Sequence, residues 1–166
     1  MVREMRRKNQ ALDMQECLRI LQSGENGVLA LQGDGDYPYA VPLNYVYKDG
    51  RLYFHGATQG HKMDALRACD RVSFCVIDDD QVDAQARTTL YRSVIAFGRM
   101  RIVEDEVQKK GALTLLAQRF CPDAPEKNEE EIQAAIHRTA ILEMQIERLT
   151  GKEAQRLVRA RREPRG

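Results

Sequence analysis

The sequence has no apolar run approaching the roughly eighteen residues that a membrane-crossing helix needs. Its start, Met1 to Lys8, is charged and is followed by no apolar stretch of the kind a secretory signal carries. A cytoplasmic protein with no membrane partner is the expectation. No Gly-x-Gly-x-x-Gly step and no Walker loop occur, which argues against a Rossmann dinucleotide site and a P-loop. Net charge is only +1, so no global field draws the chain to nucleic acid. Basic residues do gather at the two ends: Arg3, Arg6, Arg7 and Lys8, then Arg156, Arg159, Arg161, Arg162 and Arg165. They read either as a contact for nucleic acid or membrane or, as expected here, as solvated, frayed termini.

Cysteine is scarce and unpatterned. Cys17, Cys69, Cys75 and Cys121 show no regular spacing, so free and mostly buried thiols are expected rather than a disulfide framework. His55, His61, Cys69 and Cys75 could be written as a zinc quartet, but no tight ligand pair exists and no metal is expected. Cys75 falls in an apolar strand, where a thiolate is costly, so it is no nucleophile.

What remains is ordinary soluble-protein composition, 43% hydrophobic over 166 residues. The chain reads as one domain, 1–166, with a core over about residues 11–150 between basic termini. Asp13 to Glu16 has capping-box spacing ahead of a first helix stopped by Gly24. Strands are expected over Gly27 to Gln32, Tyr39 to Lys48, Arg51 to His55, Arg71 to Ile77, Leu90 to Val103 and Ala140 to Leu149. Gly98 marks a bulge in the longest of them. Helices are expected over His61 to Cys69, Asp105 to Phe120 and Glu129 to Arg138, while residues 81–88 and the stretch after Pro122 read as loops. With no βαβ rhythm, this is an α+β arrangement: a small antiparallel β-barrel with peripheral helices.

The segment Gly33 to Lys62 concentrates the candidate chemistry. Gly33 to Asp36 and Asp49-Gly50 are turn signals, since Gly and Asp tolerate positive φ. Thr58, Gly60, His61 and Lys62 then bring a hydroxyl, free backbone N–H groups and cations to a helix start, the parts a phosphate needs. An exposed helix start is the plainer reading of Lys62 and His61. His55 ends a strand beside Gly56 and reads equally as a proton donor or as a hydrogen-bonded structural histidine. Arg92, heading the long strand, is either a bidentate phosphate ligand or a cross-strand ion pair.

Several segments in order, Arg3-Glu-Met-Arg-Arg7, Gly27-Val-Leu-Ala30, Tyr37 to Tyr47, Tyr53-Phe-His-Gly-Ala57, Gly60-His-Lys62, Val72 to Ile77 and Tyr91 to Gly98, closely resemble the 5-nitroimidazole resistance proteins. That family belongs to the pyridoxamine 5′-phosphate oxidase-like, FMN-binding split barrels. The resemblance implies a six-stranded antiparallel split β-barrel that forms a homodimer with FMN at the subunit interface. Pro42, Leu43, Asn44 and Tyr45 would line the flavin ring, with Thr58, His61 and Lys62 at its phosphate. Arg92 and Ser93 would reach it from the other subunit, Tyr45 and Tyr91 would wall the pocket or pack in the core, and His55 would act on a small planar electron acceptor such as a nitroimidazole. A non-catalytic flavin-binding or flavin-sensing module, and a haem-binding relative with His55 or His61 as axial ligand, are the alternatives. The substrate-phosphate motif of the true oxidases has no counterpart in the arginine-rich C-terminus, so vitamin B6 oxidation is not expected.

Overall fold

The computed structural model describes residues 4–162, so Arg3 and Arg165 lie outside the described residues. Asp13 accepts a hydrogen bond from the Glu16 N–H at 2.8 Å and so starts α1 (Met14–Ser23), as its capping spacing predicts. β1 (Asn26–Gln32) and β2 (Pro38–Asn44) form a hairpin whose tip holds Gly35 and Asp36 at positive φ. β3 (Val46–Lys48) and β4 (Arg51–Ala57) form a second one. Asp49 and Gly50 at its tip, φ 48° and 78°, make the primed turn that matches strand twist. After α2 (His61–Ala68) come β5 (Arg71–Asp83) and β6 (Thr88–Val103), then α3 (Glu106–Phe120), α4 (Pro125–Ala135), β7 (Thr139–Glu153) and α5 (Gln155–Arg162).

These strands form one antiparallel sheet in the order β2-β1-β5-β6-β7-β4-β3. Strand parity sends Leu29, Leu31, Phe54, Phe74, Val94 and Met144 inward to a common core. At its centre Tyr45, Phe54 and Phe74 meet edge to face, Phe74 standing 5.0 Å from each of the other two rings. Gly98 sits at a register shift between β6 and β7, the bulge that its place in the strand predicts. A Cβ at Gly98 would strike the Gln145 carbonyl.

The expected count of six strands is corrected to seven, in a sheet that does not close. The run Tyr39 to Lys48 is not one strand. Tyr45 interrupts it, fully buried, its N–H donated to the Glu25 carbonyl at 3.1 Å and its hydroxyl to the Leu21 carbonyl at 2.9 Å. Either side of that residue, β2 pairs with β1 and β3 with β4, so the chain steps from one edge of the sheet to the other. β2 and β4 are left facing each other across an unpaired seam.

Other boundaries also move. Residues 81–83 continue β5, because the long β6 offers them a ladder past the bulge at Ile77/Asp79. The stretch expected as a charged loop opens α4, with Pro125 in its first turn, where its missing N–H costs nothing. The C-terminal arginines are helical rather than frayed. Val158 is buried, Arg161 lies 2.9 Å from Glu153, and Arg156 pairs with Asp83.

Two substitutions test this account by chemical denaturation. Tyr45→Phe strands the Leu21 carbonyl at the end of α1 and is expected to cost about 1–3 kcal/mol. Gly98→Ala forces the two longest strands apart and is expected to cost about 2–3 kcal/mol.

Candidate functional site

The N-terminus of α2 lies in the seam between β2 and β4. Gly60 precedes it at φ 111°, a conformation glycine adopts without strain, and supplies no side chain to cap the helix. The first N–H groups of α2 are therefore open to a ligand, at the positive end of the helix dipole. His61 stacks on Tyr39 of β2, ring centres 4.1 Å apart and planes at 18°, with its Nε2 at 3.6 Å from the Asp34 carboxylate. One residue on, Lys62 reaches across to β4. Its Nζ lies 2.9 Å from where a Cβ on Gly56 would stand, so only glycine at that place leaves the ammonium its position.

Lys62 is half-buried and has no hydrogen-bond or ion-pair partner among the described residues. Burial pushes its pKa below the ordinary lysine value of 10.5, and no carboxylate offsets the effect. An unpaired, partly desolvated cation beside open N–H groups is a place where an anion gains more than it does in water. Thr58 sits exposed in the bend that leads into the helix.

The other expected residues divide among different surfaces. On β2, Leu43 turns inward against the core, whereas Pro42 and Asn44 point outward and are exposed. Tyr45 is core, its hydroxyl bound to Leu21, so its side chain walls no pocket. Ser93 shares the outward sheet face with Pro42. Across that face runs the row Pro42, Val28, Cys75, Ile95 and Thr150, flanked by the exposed Ile77. Tyr91 lies beneath the Lys152 ammonium at 5.3 Å.

Arg92 is occupied. Its guanidinium lies 3.4 Å from the fully buried Glu153, 3.5 Å from Asp78 and 3.7 Å from Glu16. The phosphate role expected of it gives way to the ion-pair reading. It also stands far from Lys62: Arg92 pairs with Glu153 and Gly56 with Ala140, about 40 Å apart along β7.

His55 is exposed and points to the opposite face of β4 from Gly56, by strand parity. There it borders a groove of about 280 Å³ between β4, α3 and α4, walled by Leu116, Phe120 and Ile132. One protomer thus does not bring His55 onto the face that Lys62 covers. Sequence reasoning overlooked Tyr39 and Asp34, which position His61. The signal was the Gly-Asp-Gly-Asp turn with an aromatic residue three positions beyond it, set ahead of the Gly60-His61 step. No group of three or more metal-ligating side chains is assembled among the described residues. No described helix is long and apolar enough to cross a membrane.

Solved structures share this architecture. A candidate 5-nitroimidazole antibiotic resistance protein from Bacteroides thetaiotaomicron superposes with a TM-score of 0.73 at 20% identity, over 86% of each chain. An FAD-binding protein from Mesorhizobium loti has a TM-score of 0.66 and 29% identity, covering 88% of this chain and 98% of its own. The FAD and haem binding protein from Mycobacterium smegmatis gives 0.72 and 20%, covering 95% of this chain and 82% of its own. No curated protein matches with significance. The family model described as pyridoxamine 5′-phosphate oxidase matches residues 13–153, the whole described sheet with α1 to α4, and the chain belongs to that family.

Proposed function

We propose that this protein binds a flavin nucleotide as a homodimer and reduces small planar acceptors of the nitroimidazole type. The observation that carries the reading is Lys62, a half-buried cation with no counter-ion, set over Gly56 beside the uncapped start of α2. These residues fit a phosphate monoester: Lys62 supplies the charge, the first N–H groups of α2 supply directed donors, and Thr58 and His61 flank it. FMN carries one such phosphate, and FAD carries the same phosphate within its pyrophosphate. The FAD-binding relative from Mesorhizobium loti supports a flavin, and FMN is the form proposed here.

The bound flavin would supply the redox chemistry, and the chain binding, orientation and protons. The outward row from Pro42 to Thr150, with Ile77 61% exposed, is an apolar sheet face that a second copy of the chain would cover. Only such a copy would carry Ser93 toward the Lys62 end. Likewise only the second copy would bring His55, which faces away from Lys62 in its own protomer, to the reduced acceptor as a proton donor.

A second reading, favoured by one observation, is haem binding. His55 is an imidazole bordering an apolar groove, an arrangement open to axial ligation, and the Mycobacterium smegmatis relative binds both groups.

The absorption spectrum of the purified protein separates the readings. A flavin spectrum with tight uptake of FMN is expected; a colourless protein indifferent to FMN and FAD rejects the proposal, and a Soret band supports haem. Lys62→Ala is expected to weaken FMN binding about 10–100-fold in fluorescence titration, and unchanged affinity would remove Lys62 from the phosphate site. His55→Ala should lower anaerobic nitroimidazole turnover while leaving FMN affinity intact.

Lys62 also predicts a pH signature in the ligand-free protein. Its folded pKa is depressed, so below that value the charged side chain costs stability, and the cost fades as pH rises toward the ordinary 10.5. Lys62→Met is therefore expected to raise Tm at neutral pH, with the gain shrinking in alkali. A pH-independent difference would contradict the desolvation account.

A further inference from the structure

A second polar site lies on the outer face of the sheet, beside α3 and away from α2. A cavity of about 580 Å³ opens there, lined by Arg51, Tyr53, Arg101, Gln108, Gly111 and Glu143. Strand register assembles it: Tyr53 of β4 and Arg101 of β6 stand on either side of Glu143 in β7. Val103, Ala112 and Leu115 form an apolar flank.

The polar groups here are not all used. Glu143 holds the fork of Arg101, with Nε and Nη2 each at 3.0 Å, and lies 3.5 Å from the Arg51 Nε. Two guanidinium groups thus share one carboxylate. Gln108 accepts from the Arg101 Nη2 at 2.8 Å through Oε1, which leaves its amide NH₂ open. Both terminal nitrogens of Arg51 and the Nη1 of Arg101 are open as well, neither residue making further bonds among the described residues. Burial and the Glu143 carboxylate, to which the phenol is hydrogen-bonded, raise the Tyr53 pKa, so the phenol keeps its proton and spends it on Glu143. What the cavity has left to offer is N–H donors, on the two guanidinium groups and the Gln108 amide.

Gly111 points to the same conclusion from the helix side. It sits within the fifteen residues of α3, where glycine is among the least favourable choices. A Cβ there would meet nothing within 4 Å, and its backbone is not left-handed, so neither packing nor conformation calls for glycine. Its effect is to leave the α3 backbone bare along the cavity wall.

We propose that this cavity binds a small organic carboxylate, its head group on Arg51, Arg101 and Gln108 and its apolar body along Val103, Ala112 and Leu115 across Gly111. The site is separate from Lys62 and lies on the same outer face of β4 as His55, two residues beyond Tyr53.

The experiment is titration of the full-length protein with benzoate, with benzylamine as the cationic control, followed by calorimetry and by backbone amide shifts at Gln108 and Gly111. Saturable benzoate binding is expected, with no response to benzylamine. Arg51→Gln should weaken benzoate about tenfold, the effect of one lost charge-assisted contact. Gly111→Leu should abolish binding while the chain keeps its fold, with Tm unchanged or slightly raised by the better helix former. Lys62→Ala should leave benzoate affinity unchanged. The proposal is overturned if benzoate fails to saturate at millimolar concentration, if Arg51→Gln and Gly111→Leu bind like the parent, or if Lys62→Ala alone removes binding, which would place the anion at α2.

Discussion

One buried tyrosine decides the architecture. Tyr45 turns its N–H to Glu25 and its hydroxyl to the end of α1, and the chain leaves one sheet edge on one side of it and joins the other edge on the opposite side. A buried hydroxyl left without a partner costs more than a made hydrogen bond gains, so the carbonyl of Leu21 fixes where the ring can rest. Since the residues before and after Tyr45 belong to opposite margins, the sheet must curl to bring those margins together. It does so without joining them, and the seam between β2 and β4 follows directly.

That seam is where the candidate chemistry lies. α2 bridges it through two neighbouring side chains, His61 resting on Tyr39 and Lys62 lying over Gly56. A closed ladder would have filled the same space with paired backbone and left no donors for a ligand. Alternation along β4 then separates functions by face: Gly56 serves the seam, while Arg51, Tyr53 and His55 look outward toward α3. A single turn of strand thus addresses two unlike environments.

Much of this was legible in the sequence, and where it was not, long-range contacts are the reason. Local signals carried the Asp13 cap, the Asp49-Gly50 turn, the bulge at Gly98 and the helix opening at Gly60. The division at Tyr45 was hidden because a β-rich run of aromatic and branched residues carries no mark of which neighbour each half will find. Residues 81–83 look like loop on composition and are strand only because β6 lies alongside. Arg92 looks like a free cation until Glu153, distant in sequence, folds against it. The arginines near the C-terminus look solvated because the helix that carries them is mostly charged and polar, with Val158 the residue that anchors it in the core. Lys62 stood out for the opposite reason: its neighbours along the chain, glycines and a threonine, already define its surroundings.

The seam also sets an order of assembly. β2 can pair with β1 as soon as both exist, since they are a local hairpin. The β3–β4 hairpin has no other ladder partner until β7, the last strand of the chain, is in place. Such a topology is dominated by distant pairings, and closing long loops before any contact rewards them makes folding slow. The two segments that Tyr45 joins are therefore made in immediate succession and settled at the two ends of the folding process. Until then, the strand edges on both sides of the tyrosine stand open to solvent and to other chains.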